Sequence, residues 1–118
     1  MSLPDEALVV RGGRNLPENF IEGSGVALVD GKLQGVSVNS SPGLSLAQLT
    51  APDPQTGYPG IPHNKVGVTT VGAVRAAGGE VTPSRTRGNP HHATLSGLTP
   101  EVASALFQPT VKNPGRRE

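Results

Sequence analysis

Three groups of side chains have types and spacings that can do chemistry, and the first is His91-His92-Ala93-Thr94-Leu95-Ser96. Successive side chains of a strand point to opposite faces, so only one of the two adjacent histidines can face a given cleft. His92, Thr94 and Ser96 share one face, while His91, Ala93 and Leu95 share the other, more apolar one. An imidazole with a hydroxyl two residues on can hold a phosphate or a ribose hydroxyl, or exchange a proton near neutral pH. His92 and Thr94 are therefore the candidate catalytic pair; the competing reading is an exposed polar sheet face. The second group is Arg11-Gly12-Gly13, at the end of the apolar run Ala7-Leu8-Val9-Val10. Its guanidinium can meet a phosphate bidentately, and glycine lets the backbone approach closely. A surface arginine paired with Glu18 or Glu22 fits the same residues. The third group is Thr69-Thr70, two hydroxyls between a strand and a helix start, one of which helix capping explains without a ligand.

Other chemistries lack their motifs. Neither Gly-x-x-x-x-Gly-Lys-Ser/Thr nor Gly-x-Gly-x-x-Gly occurs, and Gly-x-Ser-x-Gly is also absent. His63, His91 and His92 do not have the His-Glu-x-x-His spacing, so no metal site is expected. The chain has no cysteine, hence no disulfide framework and no thiolate nucleophile. With one Tyr, two Phe and no Trp it lacks the rows of stacking platforms on which single-strand nucleic-acid readers rely. No apolar run approaches the roughly 18 residues of a membrane span, and Met1 to Glu6 has no basic-then-apolar signal segment, so a membrane protein is excluded; action in the cytoplasm is expected, with secretion as part of a larger protein as the alternative. Charge is uneven: residues 1–64 carry three basic and six acidic side chains, and residues 65–118 seven basic and three acidic. The second half is thus the better anionic contact.

These groups must be positioned by a thin core. Glycine and proline together equal Leu, Ile, Val and Phe together, at 28 residues each in a chain of 118. That composition predicts one domain over residues 1–118 of α+β class, a small and mainly antiparallel sheet with short helices and long Gly/Pro-rich loops. Ala7 to Val10 reads as a buried strand. Pro17 to Glu22 reads as one or two helical turns. Asp30-Gly31 takes the positive φ angles of a type I′ turn and joins Val26–Val29 to Lys32–Val38 as a hairpin. Ser45 to Leu49 suggests one helical turn. Residues 51–64 hold Pro52, Pro54, Gly57, Pro59, Gly60 and Pro62 and are expected to be an exposed loop, a lid or a tether. Val66 to Val68 predicts a strand, and Thr69 or Thr70 then caps a short helix that stops at Gly78. Glu80 to Thr82 is expected to be extended, and Pro83 to Pro90 a polar loop. Thr99-Pro100-Glu101 opens the best-marked helix, with Val102, Ala103, Leu106 and Phe107 on one face and Pro109 beyond its end. Residues 112–118 read as a basic flexible tail.

Leu8-Val9-Val10-Arg11-Gly12, then Gly67-Val68-Thr69-Thr70-Val71, then Ala76 to Pro83, then His92-Ala93-Thr94-Leu95 form an order of motifs that resembles the catalytic domains of bacterial effector toxins related to ADP-ribosyltransferases. The matching pieces cover about a fifth of the chain. The resemblance implies NAD as substrate, with Arg11 and Gly12 at its phosphates, Thr69 and Thr70 around the nicotinamide ribose, and His92 on a ribose hydroxyl. The chain departs from the pattern in having no Glu-x-Glu pair, since Glu80 and Glu101 are single. A small toxin-type ribonuclease uses the same residues without a glutamate: His92 as acid or base, Thr94 or Ser96 positioning phosphate, and Arg85 or Arg87 on the transition state. A noncatalytic module, in which the proline-rich loop and basic tail bind a partner protein, is the third expectation. A toxin domain further implies an immunity or antitoxin protein as partner.

Overall fold

A computed structural model describes residues 2–23 and 25–115. Eight strands and four short helices follow in chain order: β1 (Leu8–Gly12), α1 (Pro17–Ile21), β2 (Ala27–Val29), β3 (Lys32–Gln34), β4 (Val36–Asn39), α2 (Leu46–Thr50), β5 (Lys65–Thr70), α3 (Val71–Ala76), β6 (Glu80–Pro83), β7 (His92–Ser96), α4 (Pro100–Phe107) and β8 (Val111–Lys112). Six strands make one sheet in the order β6-β7-β4-β1-β5-β8, with every pairing antiparallel, and β2-β3 form a separate hairpin. The α+β class and the antiparallel sheet are those the composition predicts.

The strand β1 is apolar on both faces because the sheet is covered on both. Val9 belongs to the larger core with Phe20, Val71, Val74, Leu95 and Phe107, under α1, α3 and α4. Val10 belongs to a smaller core with Leu49, Ile61 and Val66, under α2 and the segment that follows it. By contrast β7 buries only Ala93 and Leu95, leaving His92, Thr94 and Ser96 half-buried on the opposite face. This is the alternation read from the sequence. The smaller core does not extend that far, so that part of the face is polar.

Local signals set most boundaries. Asp30 (φ 52°) and Gly31 (φ 77°) make the expected turn, and Val29 pairs with Lys32. The hairpin is shorter than expected, since Gly35 (φ 81°) ends β3 and sends Val36–Asn39 into the large sheet. A Cβ at Gly35 would lie 2.8 Å from the Gly25 carbonyl, so the redirected backbone has no room for a side chain. Thr70 caps α3 through the Ala73 amide at 3.1 Å, and Thr99 caps α4 through Val102 at 3.2 Å. The buried face of α4 is Pro100, Ala103, Ser104 and Phe107, whereas Val102 is exposed. Ser104 turns inward because its hydroxyl donates to the Asn15 carbonyl at 2.7 Å.

The segment 51–64 exposes Pro52, Pro54, Pro59 and Pro62 but turns inward at Gly60 and Ile61, where the Ile61 amide donates to the Thr50 carbonyl. Lys112 pairs with Lys65 in β8, and buried Asn113 donates to the carbonyls of Ile61 and His63 at 2.8 Å each. Of the expected basic tail, Arg116, Arg117 and Glu118 lie outside the described residues, as does Ser24. Among the described residues no helix is long and apolar enough to cross a membrane.

The tightest approach in the larger core is at Gly67, where a Cβ would sit 2.7 Å from both the Cβ and the carbonyl oxygen of Phe107 and 2.8 Å from the Asn15 amide. Overpacking of this kind costs about 1–3 kcal/mol or more. Gly67→Ala should therefore lower the unfolding free energy by that amount, read as a lower urea midpoint at unchanged slope; an unaltered midpoint would show that α4 does not press on β5.

Candidate functional site

The strand register brings the polar groups together. Asn39 on β4 is aligned with Val10 on one side and His92 on the other, and Ser37 is aligned with Thr94. A cavity of about 280 Å³ opens over this polar face. Ser37, Asn39, Asn89 and His92 form one wall, and Tyr58, Ile61, Pro62 and His63 form the other. Among the described residues no carboxylate lines it.

His92 is held at both ring nitrogens. Its Nδ1 lies 3.0 Å from the Ser84 carbonyl and 2.8 Å from Ser84 Oγ, while Nε2 lies 3.1 Å from Ser37 Oγ. A carbonyl can only accept, so Nδ1 carries the hydrogen and the neutral ring presents Nε2 as an acceptor, with Ser37 donating to it. Thr94 Oγ1 lies 2.8 Å from Ser84 Oγ, which completes a chain from Thr94 through Ser84 to His92. The ring is therefore oriented by groups behind it, and its basic nitrogen faces the half of the sheet that the core leaves uncovered.

The walls are tied by Asn39, which is 5% exposed. Its amide nitrogen donates to the Leu49 carbonyl at 2.8 Å and to the Tyr58 hydroxyl at 2.9 Å, and its oxygen accepts from Asn89 at 2.8 Å. Burial raises the Tyr58 phenol above its ordinary pKa, an effect the Asn39 hydrogen bond opposes. His63 packs on Gly12, where a Cβ would come within 2.4 Å of its Nδ1 and 2.6 Å of Ile61 Cγ2. The bare backbone expected at Gly12 is thus present, and the molecule's own loop approaches it.

Arg11 sends its side chain the other way. By strand alternation it shares the helix-covered face with Val9, and its guanidinium carbon lies 4.4 Å from the centre of the Phe20 ring. Nη1 donates to Asn15 Oδ1 at 3.1 Å and Nη2 to the Asn19 carbonyl at 3.0 Å. Burial lowers its pKa from the ordinary value, though arginine stays a cation. No salt bridge joins it to Glu18 or Glu22 among the described residues. Thr69 is buried and aligned with Val9, also toward the helices, and the Thr70 hydroxyl is occupied by the Ala73 amide. Hence the side chains of Arg11 and Thr69 leave the face that carries His92 and the Thr70 hydroxyl is taken by its helix cap, although Arg11 also lines the cavity at His92; His92 and Thr94 share a network. Glu80 is bonded to Arg75 at 2.9 Å and to the Val81 amide, and the amide first, then Arg75, holds its carboxyl below the usual range. Glu101 lies in the first turn of α4.

Sequence reading passed over Ser37, Asn39, Tyr58, His63, Ser84 and Asn89. Only His63 carried a signal, as an imidazole directly after a Gly-Ile-Pro turn. Among the described residues no group of three or more His, Cys, Asp or Glu could hold a metal ion. Comparisons with protein-family models, curated proteins and solved structures find no match for the chain.

His91, just before β7, lies 3.2 Å from Ser41 Oγ through Nδ1. Burial pushes its pKa down; Asp53 opposes this shift and Arg85 adds to it. The unfolded chain then binds the proton more readily, so stability is full above the ordinary value of about 6.5 and falls as pH drops toward the lower native value. Urea midpoints measured between pH 5 and 8 should show this loss in the wild type and a flatter profile in His91→Asn. An equal slope in both would remove His91 as its source.

Proposed function

We propose that the protein is a small toxin-type domain that cleaves RNA by acid–base catalysis at His92. The observation that carries this reading is the pairing of an Nδ1 fixed on the Ser84 carbonyl with an Nε2 that meets Ser37 at a groove lined by no carboxylate among the described residues. A phosphodiester enters such a groove without charge repulsion, and a ribose hydroxyl replaces Ser37 as the donor to Nε2. His92 then takes the 2′ proton as the 2′ oxygen bonds to phosphorus. The bond from phosphorus to the 5′ oxygen breaks, and His63 on the opposite wall returns a proton to the departing oxygen. Arg85, which lines a cavity with His92, supplies positive charge to the phosphate. Thr94 acts through Ser84 as a positioning residue.

The NAD reading implied by the resemblance to ADP-ribosyltransferases needs Arg11 and His92 on one ligand, and their side chains leave opposite faces of the sheet. Cleavage of RNA needs only the groove. Its target is inside a bacterial cell, and a neutralising partner that covers the groove is the corresponding immunity protein.

His92→Ala should lower RNA cleavage by about 10²- to 10⁴-fold. Its cost in stability is about 1 kcal/mol, the hydrogen bonds of a half-buried side chain. Ser37→Ala should retain cleavage, because Ser37 only occupies Nε2 until substrate arrives. A Ser37→Ala loss as large as that of His92→Ala would make Ser37 the nucleophile and overturn the reading, as would wild-type protein that leaves RNA intact and bacterial growth unaffected.

A further inference from the structure

The cavity at His92 has neighbours on both sides. One, of about 310 Å³, shares His92 and is lined by Ser40, Ser41 and Arg85. The other, of about 350 Å³, shares Arg11, Gly12 and His63 and is lined further by Gly13, Arg14 and Asn19. Each histidine therefore stands at a junction between two cavities. Each cavity is near the low end of the roughly 300–1,000 Å³ that small-ligand sites span, so each fits one unit of a chain better than a whole cofactor.

Charge follows the same path. Among the described residues no Asp or Glu lines any of the three cavities, although the chain has nine. Arg85 stands at one end and Arg14 at the other, where Arg11 also lines the cavity but turns its guanidinium over Phe20. Arg11 is held by Asn15, Asn19 and Phe20, but Arg14 is exposed, and among the described residues only its backbone carbonyl is engaged, by Gln108. No salt bridge neutralises Arg14 among the described residues. Beyond Pro83 a further cavity is lined by the paired Arg75 and Glu80, where the carboxylate-free path stops.

We infer that the three cavities form one track for a single-stranded phosphodiester chain several nucleotides long, with a phosphate subsite at Arg14 remote from His92. The inference rests on the phosphodiester reading of the His92 groove and names its substrate class: a polymer, gripped by its backbone. Among the described residues Tyr58 is the only Phe, Tyr or Trp lining the track, so the grip falls on the phosphates more than on stacked bases.

Binding of labelled thymidine oligodeoxynucleotides of one, two, four and six units, read by fluorescence anisotropy, tests this apart from cleavage, because they lack the 2′ hydroxyl. Affinity should rise from the mononucleotide to the tetramer and then level off. Arg14→Ala should weaken the tetramer, leave the dinucleotide unchanged, and reduce the slope of log affinity against log salt by about 0.7, one phosphate contact on a single strand. A mononucleotide that binds as tightly as the hexamer, or an Arg14→Ala variant that matches wild type at every length, would overturn the track and leave the His92 reading standing. Length-dependent binding by a protein that does not cleave RNA would support the track and remove the cleavage reading.

Discussion

The functional face depends on one buried amide. Asn39 lies in the sheet between Val10 and His92, and its three hydrogen bonds reach α2, the 51–64 segment and the loop that precedes β7. The bond to Tyr58 joins the two walls of the groove, the bond to Asn89 stays within the wall that carries His92, and the bond to Leu49 anchors α2. A buried amide left without partners costs about 1–3 kcal/mol, so the arrangement forms as a unit or not at all. The groove is therefore a consequence of satisfying Asn39, and the position of His63 and Tyr58 relative to His92 follows from it.

Asn15 has the matching role on the other face. It is fully buried with φ 56°, a left-handed conformation that asparagine tolerates better than most residues. Its amide nitrogen donates to the carbonyls of Arg11 and Gly13, its side-chain oxygen accepts from Arg11, and its own carbonyl accepts from Ser104 and Gln108. This locks the end of β1 to α4 and turns Arg11 over Phe20. The helix side is thus well packed, with the two phenylalanine rings 5.7 Å apart at its centre. The opposite side has only a partial apolar cover, and this asymmetry leaves room for a polar groove on a sheet that is otherwise fully packed.

What could be read in the sequence was what neighbouring residues decide. Asp30-Gly31, Thr99-Pro100 and the alternation from His92 to Ser96 each carry their physical cause within a few positions. The face taken by Arg11 could be counted from Val9, but nothing local said that Phe20 and Asn19 would be waiting on it. Ser37, His63 and Ser84 come to His92 through strand register and a returning loop, over separations of 55, 29 and 8 residues in the chain. Such contacts leave no periodicity to detect. The break at Gly35 was hidden because a glycine within a strand pattern reads equally as part of the strand.

The most direct measurement is the chemistry of the ends left on a short RNA after incubation with the protein, read by mass spectrometry. Attack by the 2′ oxygen with proton transfer through His92 predicts a 2′,3′-cyclic phosphate on one fragment and a free 5′ hydroxyl on the other. Fragments that carry a 5′ phosphate and a 3′ hydroxyl would contradict this, since they require water rather than the ribose as the nucleophile.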